Sequence, residues 1–346
     1  MLKTVTILIA LALLLAPGAA AQAGSMDGGV ICGDLPESDC QILLDNAAIM
    51  DEVFSAAFDM TMEMGFSGDS NAGDMQLSVI GDGRLAADPA LATELMALDA
   101  ATDADSMFAL VEELFAAIQG EVVLNMTGAS ADEPLDMTLN LLIKDGVIVL
   151  NAGAMETVTG ESMVGMEWFG FDTSGALGGL LGEAGMGSIA DMSGMSSPAM
   201  EEAEAQATTI ARLPDEQVAG IPVAVFESSI NLNPILSSLT LEDIQAEAGA
   251  DQAADAEMAL AMTRSIEARE MSSRHYIGID DRFTHRMDLV MDLTIGSEFA
   301  GLGEGELHLT ANIDIYLSAF NQPVAVAIPE EAMVIPLAMM MQMGSQ

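Results

Sequence analysis

Phe283-Thr284-His285-Arg286-Met287-Asp288-Leu289-Val290-Met291-Asp292-Leu293-Thr294-Ile295 is the stretch that decides the fold. Phe283, His285, Met287, Leu289, Met291, Leu293 and Ile295 share one face. Thr284, Arg286, Asp288, Asp292 and Thr294 share the other, where Val290 is the one apolar intruder. Only a half-buried antiparallel strand sorts side chains with a period of two. The alternation reaches back to Ser272 and recurs from Gly305 to Tyr316. Near the front, Phe58, Met60, Met62, Met64 and Phe66 alternate with Asp59, Thr61 and Glu63. Such repetition at both ends implies one large sheet with a Met-rich apolar face.

The ends of the chain bear on where it works. Lys3, the apolar run Val5 to Leu15 and the small residues Ala19-Ala20-Ala21 have the form of a secretory signal over residues 1–21, with a cut after Ala23 equally readable. No stretch is long and apolar enough for a spanning helix, so no integral membrane segment is expected. Cys32 lies well past the apolar run, which implies no lipid anchor. The expected setting is extracellular or in the cell envelope or periplasm, as a soluble protein. Cys32 and Cys40 are the only cysteines. In an oxidising compartment they form one disulfide, pinning residues 22–40. Their spacing does not suit a redox motif, and no nearby His completes a zinc site.

The formal charge is −45, and removing the signal leaves 54 acids against eight bases, or −46. Nucleic acid and anionic membrane surfaces are repelled by such a field. Disorder is the other reading of extreme charge, but it goes with low hydrophobicity, and here 51% of residues are hydrophobic. The acidity therefore serves solubility or a saline milieu.

Along the chain, Asp39 is placed to cap a helix carrying Leu43, Ala47, Met50, Phe54 and Ala57. Strands are expected at Phe58–Phe66, Met75–Ile80, Glu121–Thr127, Leu135–Ile143, Val147–Asn151 and around Trp168. Lys144-Asp145-Gly146 reads as a hairpin turn. A helical insert near 89–119 carries the stripe Met107, Phe108, Val111, Leu114, Phe115 and Ile118. Gly-, Ala-, Ser- and Met-rich sequence near 183–208 reads as a flexible connection, with a short helix before it at Leu177–Leu181. Strands near Gln217–Ile230 precede a second helical insert at 241–270, the long hairpin, and a last strand at Pro323–Ile328. The expected whole is a single domain over 41–343.

Of the three histidines, His308 falls on a polar strand face and His285 in an apolar register; His275 and His285 sit on opposite arms of one hairpin. Packed or solvated roles suit them better than metal ligation. Asp69, Asn71, Gly73 and Asp74 resemble a calcium loop superficially, but the Gly comes one place early and Val79 stands where the bidentate Glu belongs. No nucleophile elbow, Walker loop or dinucleotide fingerprint is present. No catalytic residue, metal or cofactor is expected, and the chain does not read as an enzyme.

The closing segment Ile313-Asp314-Ile315-Tyr316-Leu317-Ser318-Ala319-Phe320-Asn321-Gln322-Pro323, continuing through Val324 to Ala332, resembles the end of the LolA/LppX-type lipoprotein-carrier superfamily. Arg274-His275-Tyr276-Ile277-Gly278-Ile279-Asp280 with Arg286 to Leu293 resembles its late hairpin, and Trp168 after the Lys144-Asp145-Gly146 turn is also similar. The resemblance implies a mainly β (α+β) fold: a curved, unclosed antiparallel half-barrel with covering helices around an apolar cavity. It also implies that the partner is a lipid or other apolar small molecule. Met60, Met62, Met64, Met137, Leu139, Leu289, Met291 and Leu293 are then the cavity lining, with Phe108, Val111 and Phe115 as a lid. The 28 methionines suit a pocket for ligands of varied shape. The alternative is a secreted structural or protein-interaction module, whose sheet face is filled by its own helices.

Because the mature chain is so acidic, molar sodium chloride should raise its thermal midpoint above that in dilute buffer. An unchanged or lower midpoint would mean that the acids are paired locally or too dispersed to matter.

Overall fold

The computed structural model describes residues 32–68, 75–87, 113, 116–129, 134–154, 167–173, 207–231, 266–296 and 306–337. Its organising element is one open sheet of twelve strands. These are β1 (Ser55–Gly68), β2 (Met75–Ala86), β3 (Gln119–Ala129), β4 (Pro134–Lys144), β5 (Val147–Asn151) and β6 (Trp168–Asp172). Then come β7 (Thr208–Val218), β8 (Ile221–Ile230), β9 (Ile266–Gly278), β10 (Thr284–Gly296), β11 (Glu306–Ser318) and β12 (Met333–Pro336). The spatial order is β12-β6-β5-β4-β3-β2-β1-β11-β10-β9-β8-β7, an unclosed, curved half-barrel with β12 and β7 as its outermost strands among the described residues.

Every neighbouring pair is antiparallel except β12 with β6. β1 and β11, from opposite ends of the sequence, pair over their full length and join the two halves into one sheet. Turn chemistry sets the short hairpins. Asp145 and Gly146 take φ of 52° and 75°, and Ala219 and Gly220 take 49° and 85°. Two consecutive positive φ values give the hairpin turn whose twist matches the flanking strands.

Helix α1 (Glu37–Met50) lies on the apolar face at the β8–β9 end. Its Leu43 and Ile42, with Leu35 before it, pack against Ala224, Phe226 and Ile277. Asp39 does not cap it: the helix begins one residue after Pro36, and Asp39 sits in the first turn, where a carboxylate favours the helix dipole. The helix stops at Met50, so Phe54 lies beyond it and is exposed, while Ala57 is already in β1. Cys32 and Cys40 are bridged, with Cα atoms 5.3 Å apart, tying the segment before α1 to its first turn.

Three boundaries differ from expectation. Gln119, Thr208 and Ile266–Glu270 belong to strands β3, β7 and β9, because pairing with β2, β8 and β10 overrides helical or loop character there. Pro323–Ile328 is not a strand. Bracketed by Pro323 and Pro329, it joins no ladder; Lys144 Nζ donates to the Val326 carbonyl at 3.2 Å. The last strand is instead β12, beside β6. The signal segment, the 69–74 loop, the short helix at 177–181 and most of both helical inserts and of the 183–208 connection lie outside the described residues.

One polar contact locks α1 to the β9–β10 turn. Asn46, buried in the helix, donates from Nδ2 to the Arg282 carbonyl at 2.6 Å and to Thr284 Oγ1 at 3.1 Å. Asn46→Ala should lower stability by about 1–3 kcal/mol in urea unfolding, since buried Thr284 loses its partner. Adding Thr284→Val should recover part of that loss. A single variant as stable as wild type would show that the contact does not hold the helix.

Candidate functional site

The register puts the expected cavity residues on one face, in rows that cross the sheet. The first runs Leu139, Leu124, Gly81, Met60, Ile315, Met287, His275, Phe226. The second runs Met137, Met126, Val79, Met62, Ile313, Leu289, Ser273, Ser228, and the third runs Leu135, Gly128, Leu77, Met64, Ala311, Met291, Met271. Leu293 opposes Leu309, which opposes Phe66. All eight residues named from the sequence therefore share a face.

They do not share an environment. Met60, Met62, Val79, Leu124, Met126 and Met137 belong to one packed cluster, against which Met64 and Leu139 lie partly buried. Met62 and Val79 are 1% exposed. A glycine makes this packing possible: a Cβ on Gly81 would come within 2.6 Å of Leu124 Cδ2. Leu289, Met291 and Leu293 are only half-buried and belong to none of the packed clusters of the described residues. Ile118, from the expected lid stripe, packs on the cluster. Phe108, Val111 and Phe115 lie outside the described residues.

The opposite face carries what the sequence reading did not assemble. Arg286 lies between the Tyr276 and Tyr316 rings, 4.9 and 5.1 Å from their centroids, and pairs with Asp288 and Asp314 at 2.7 Å each. Tyr276 Oη donates to Asp288 at 2.8 Å. Burial, then that hydrogen bond to a carboxylate, pushes the Tyr276 phenol up to about 12. Burial alone would lower the Arg286 pKa, but the two aspartates outweigh it and raise it. Burial and the charge of Asp288 raise Asp314 despite Arg286. The alternation of Arg, Tyr and Asp was visible in the sequence; their pairing across three strands was not. A depression of about 480 Å3 also opens on this face, with Glu63, Gln76, Ser78, Thr127, Thr310 and Asn312 around Gly65.

The histidines are all engaged. His285 Nε2 is 3.0 Å from Asp281, and its ring meets Phe320 edge-on. His308 Nε2 is 2.6 Å from Asp292. His275 Nε2 is 3.3 Å from Ser273 Oγ. Among the described residues, no group of three or more His, Cys, Asp or Glu is placed to hold a metal, and no helix is long and apolar enough to cross a membrane.

No family model matches the chain, and no curated protein matches it. Among solved structures, it is similar to LprF from Mycobacterium bovis at 12% identity and a TM-score of 0.33, covering 85% of this chain and 98% of that one. It is similar to the Mycobacterium tuberculosis lipoprotein LppX at 12% identity and a TM-score of 0.29, covering 84% and 97%. A third is a putative outer membrane lipoprotein-sorting protein domain from Vibrio parahaemolyticus: 10% identity, TM-score 0.17, 82% and 93% covered. The half-barrel itself is defined by this chain's own strand order and register.

Desolvation lowers the His275 pKa to about 4, with Asp288 opposing the shift. The unfolded side chain titrates near 6.5, so between these values the unfolded state holds more protons. Stability should therefore rise with pH from about 4 to about 6.5 and level off above, by at most about 1.4 kcal/mol per pH unit. Urea unfolding across this window, for wild type and His275→Asn, isolates the effect from the carboxylates. Parallel pH profiles of the two proteins would contradict it.

Proposed function

We propose that this is an exported, non-enzymatic binding protein that holds a lipid or other apolar ligand against the Met-rich sheet face, in the manner of a carrier. One observation carries the reading. A single apolar face crosses the sheet in register, yet its β10 portion (Leu289, Met291 and Leu293) is only half-buried beside a closely packed β1–β4 portion. An apolar surface left partly uncovered beside a finished core is where an apolar ligand gains most from burial, at about 25 cal/mol per Å2. Methionine side chains adapt to acyl chains of differing shape without a new rotamer penalty of branched residues. On this reading Met60, Met62, Met64, Met137, Leu139, Leu289, Met291 and Leu293 line the site, and Phe108, Val111 and Phe115 close over it. The disulfide and the signal-like leader support export.

The rival reading, a structural or interaction module with a filled core, draws on the near-zero exposure of Met62 and Val79, which dry packing also produces. The two separate on paired variants. Met291→Trp should fill the open part and cut binding of a fluorescent acyl probe while leaving stability near wild type. Met62→Trp, at the packed end of the same lining, should overpack it, lowering stability by about 1–3 kcal/mol along with probe binding. If wild type binds no acyl probe and both variants only lose stability, the filled-core module replaces the carrier.

A further inference from the structure

Among the described residues, a buried polar chain interrupts the apolar face. Following the second row outward from Met62, Ile313 and Leu289 give way to Ser273 and Ser228. Both serines are buried, 9% and 8% exposed, and their hydroxyls are 2.7 Å apart. Ser273 Oγ is in turn 3.3 Å from Nε2 of His275, which neighbours Met287 in the first row. This polar chain of three lies next to the half-buried Leu289 and Met291, just past the patch of Ala224, Phe226 and Ile277 that α1 covers.

Its proton count is informative. Two hydroxyls and a neutral imidazole carry three donor protons, and the two hydrogen bonds within the chain use two. In one tautomer the spare donor is the imidazole Nδ1–H; in the other it is the Ser228 hydroxyl. Burial keeps the His275 pKa near 4, so the ring is uncharged at neutral pH. Among the described residues, the arginine on this face, Arg212, stacks on Phe226 and is engaged by Asp39 and Asp215, so it supplies no free cation. A charged headgroup would be buried there without a counterion, at high cost; a neutral acceptor would satisfy the spare donor.

We propose that Ser228, Ser273 and His275 form the polar end of the site and hold the carbonyl of an uncharged acyl ester, whose chain lies along the Met rows toward β1. From β9 across β10 and β11 to β1 is three strand spacings, roughly 14 Å, room for a medium acyl chain. This rests on the ligand-binding reading above and narrows the ligand to a neutral ester.

The test is displacement of bound diphenylhexatriene by methyl laurate, by the alkane of equal length and by the laurate anion. On wild type the ester should displace at concentrations about tenfold lower than either competitor, the worth of one buried hydrogen bond. In Ser228→Ala/Ser273→Ala the ester should fall to the level of the alkane, with the alkane unchanged. Ester and alkane equal on wild type, or anion preferred over ester, would overturn the polar end even if the double variant fails to fold. So would a double variant that loses both ligands alike. If diphenylhexatriene does not bind wild type at all, the ligand-binding reading falls as well.

Discussion

Everything in this molecule depends on the unbroken cross-strand register from β4 to β10. Because successive side chains point to opposite faces, slipping any one of these strands by a single residue would exchange its apolar row for its polar one. β1 is the reference strand: Met60, Met62 and Met64 face Gly81, Val79 and Leu77 on one side and Ile315, Ile313 and Ala311 on the other. The register is therefore enforced by burial on one face and by charge on the other. A displaced row would bury Asp59 or Glu63 without a partner, at a cost well above that of a lost apolar contact.

Ion pairs add cross-links on both faces of the sheet, and they are unevenly placed. The described arginines of the second half are tied into pairs: Arg274 with Glu227, Arg282 with Asp45, Arg212 with Asp215 and Asp39, Arg286 with two aspartates. These span β7 to β11 and α1, where α1 must stay docked. Arg286 between two tyrosines is the most ordered of them, since cation–π contact and two carboxylates fix the guanidinium plane. The half-barrel is thus anchored at the β7–β11 side, while α1 leaves Leu289, Met291 and Leu293 half-open next to it.

Much of this was legible in the sequence because it is local. Alternation gave Phe58–Phe66 and the late hairpin to within a few residues, and Asp145-Gly146 announced its own turn. Pairing partners were not legible, since nothing in β1 or β11 alone says that Ala57 and Ser318 belong together. The Pro323–Ile328 segment has strand-like composition, yet it pairs with no strand and leads instead to β12 beside β6. The candidate site divides the same way. Its shared face followed from a period of two; the contrast between packed Met62 and half-buried Met291 required the whole sheet. The Ser228–Ser273–His275 chain went unseen because its members come from two strands separated by more than forty residues.

The most direct test is mass spectrometry of lipid extracted from the mature protein purified from its natural source. The account predicts a near-stoichiometric acyl compound that co-purifies with the folded protein and is released on unfolding. Folded protein that is lipid-free, and that takes up no acyl ligand when offered one, would contradict it.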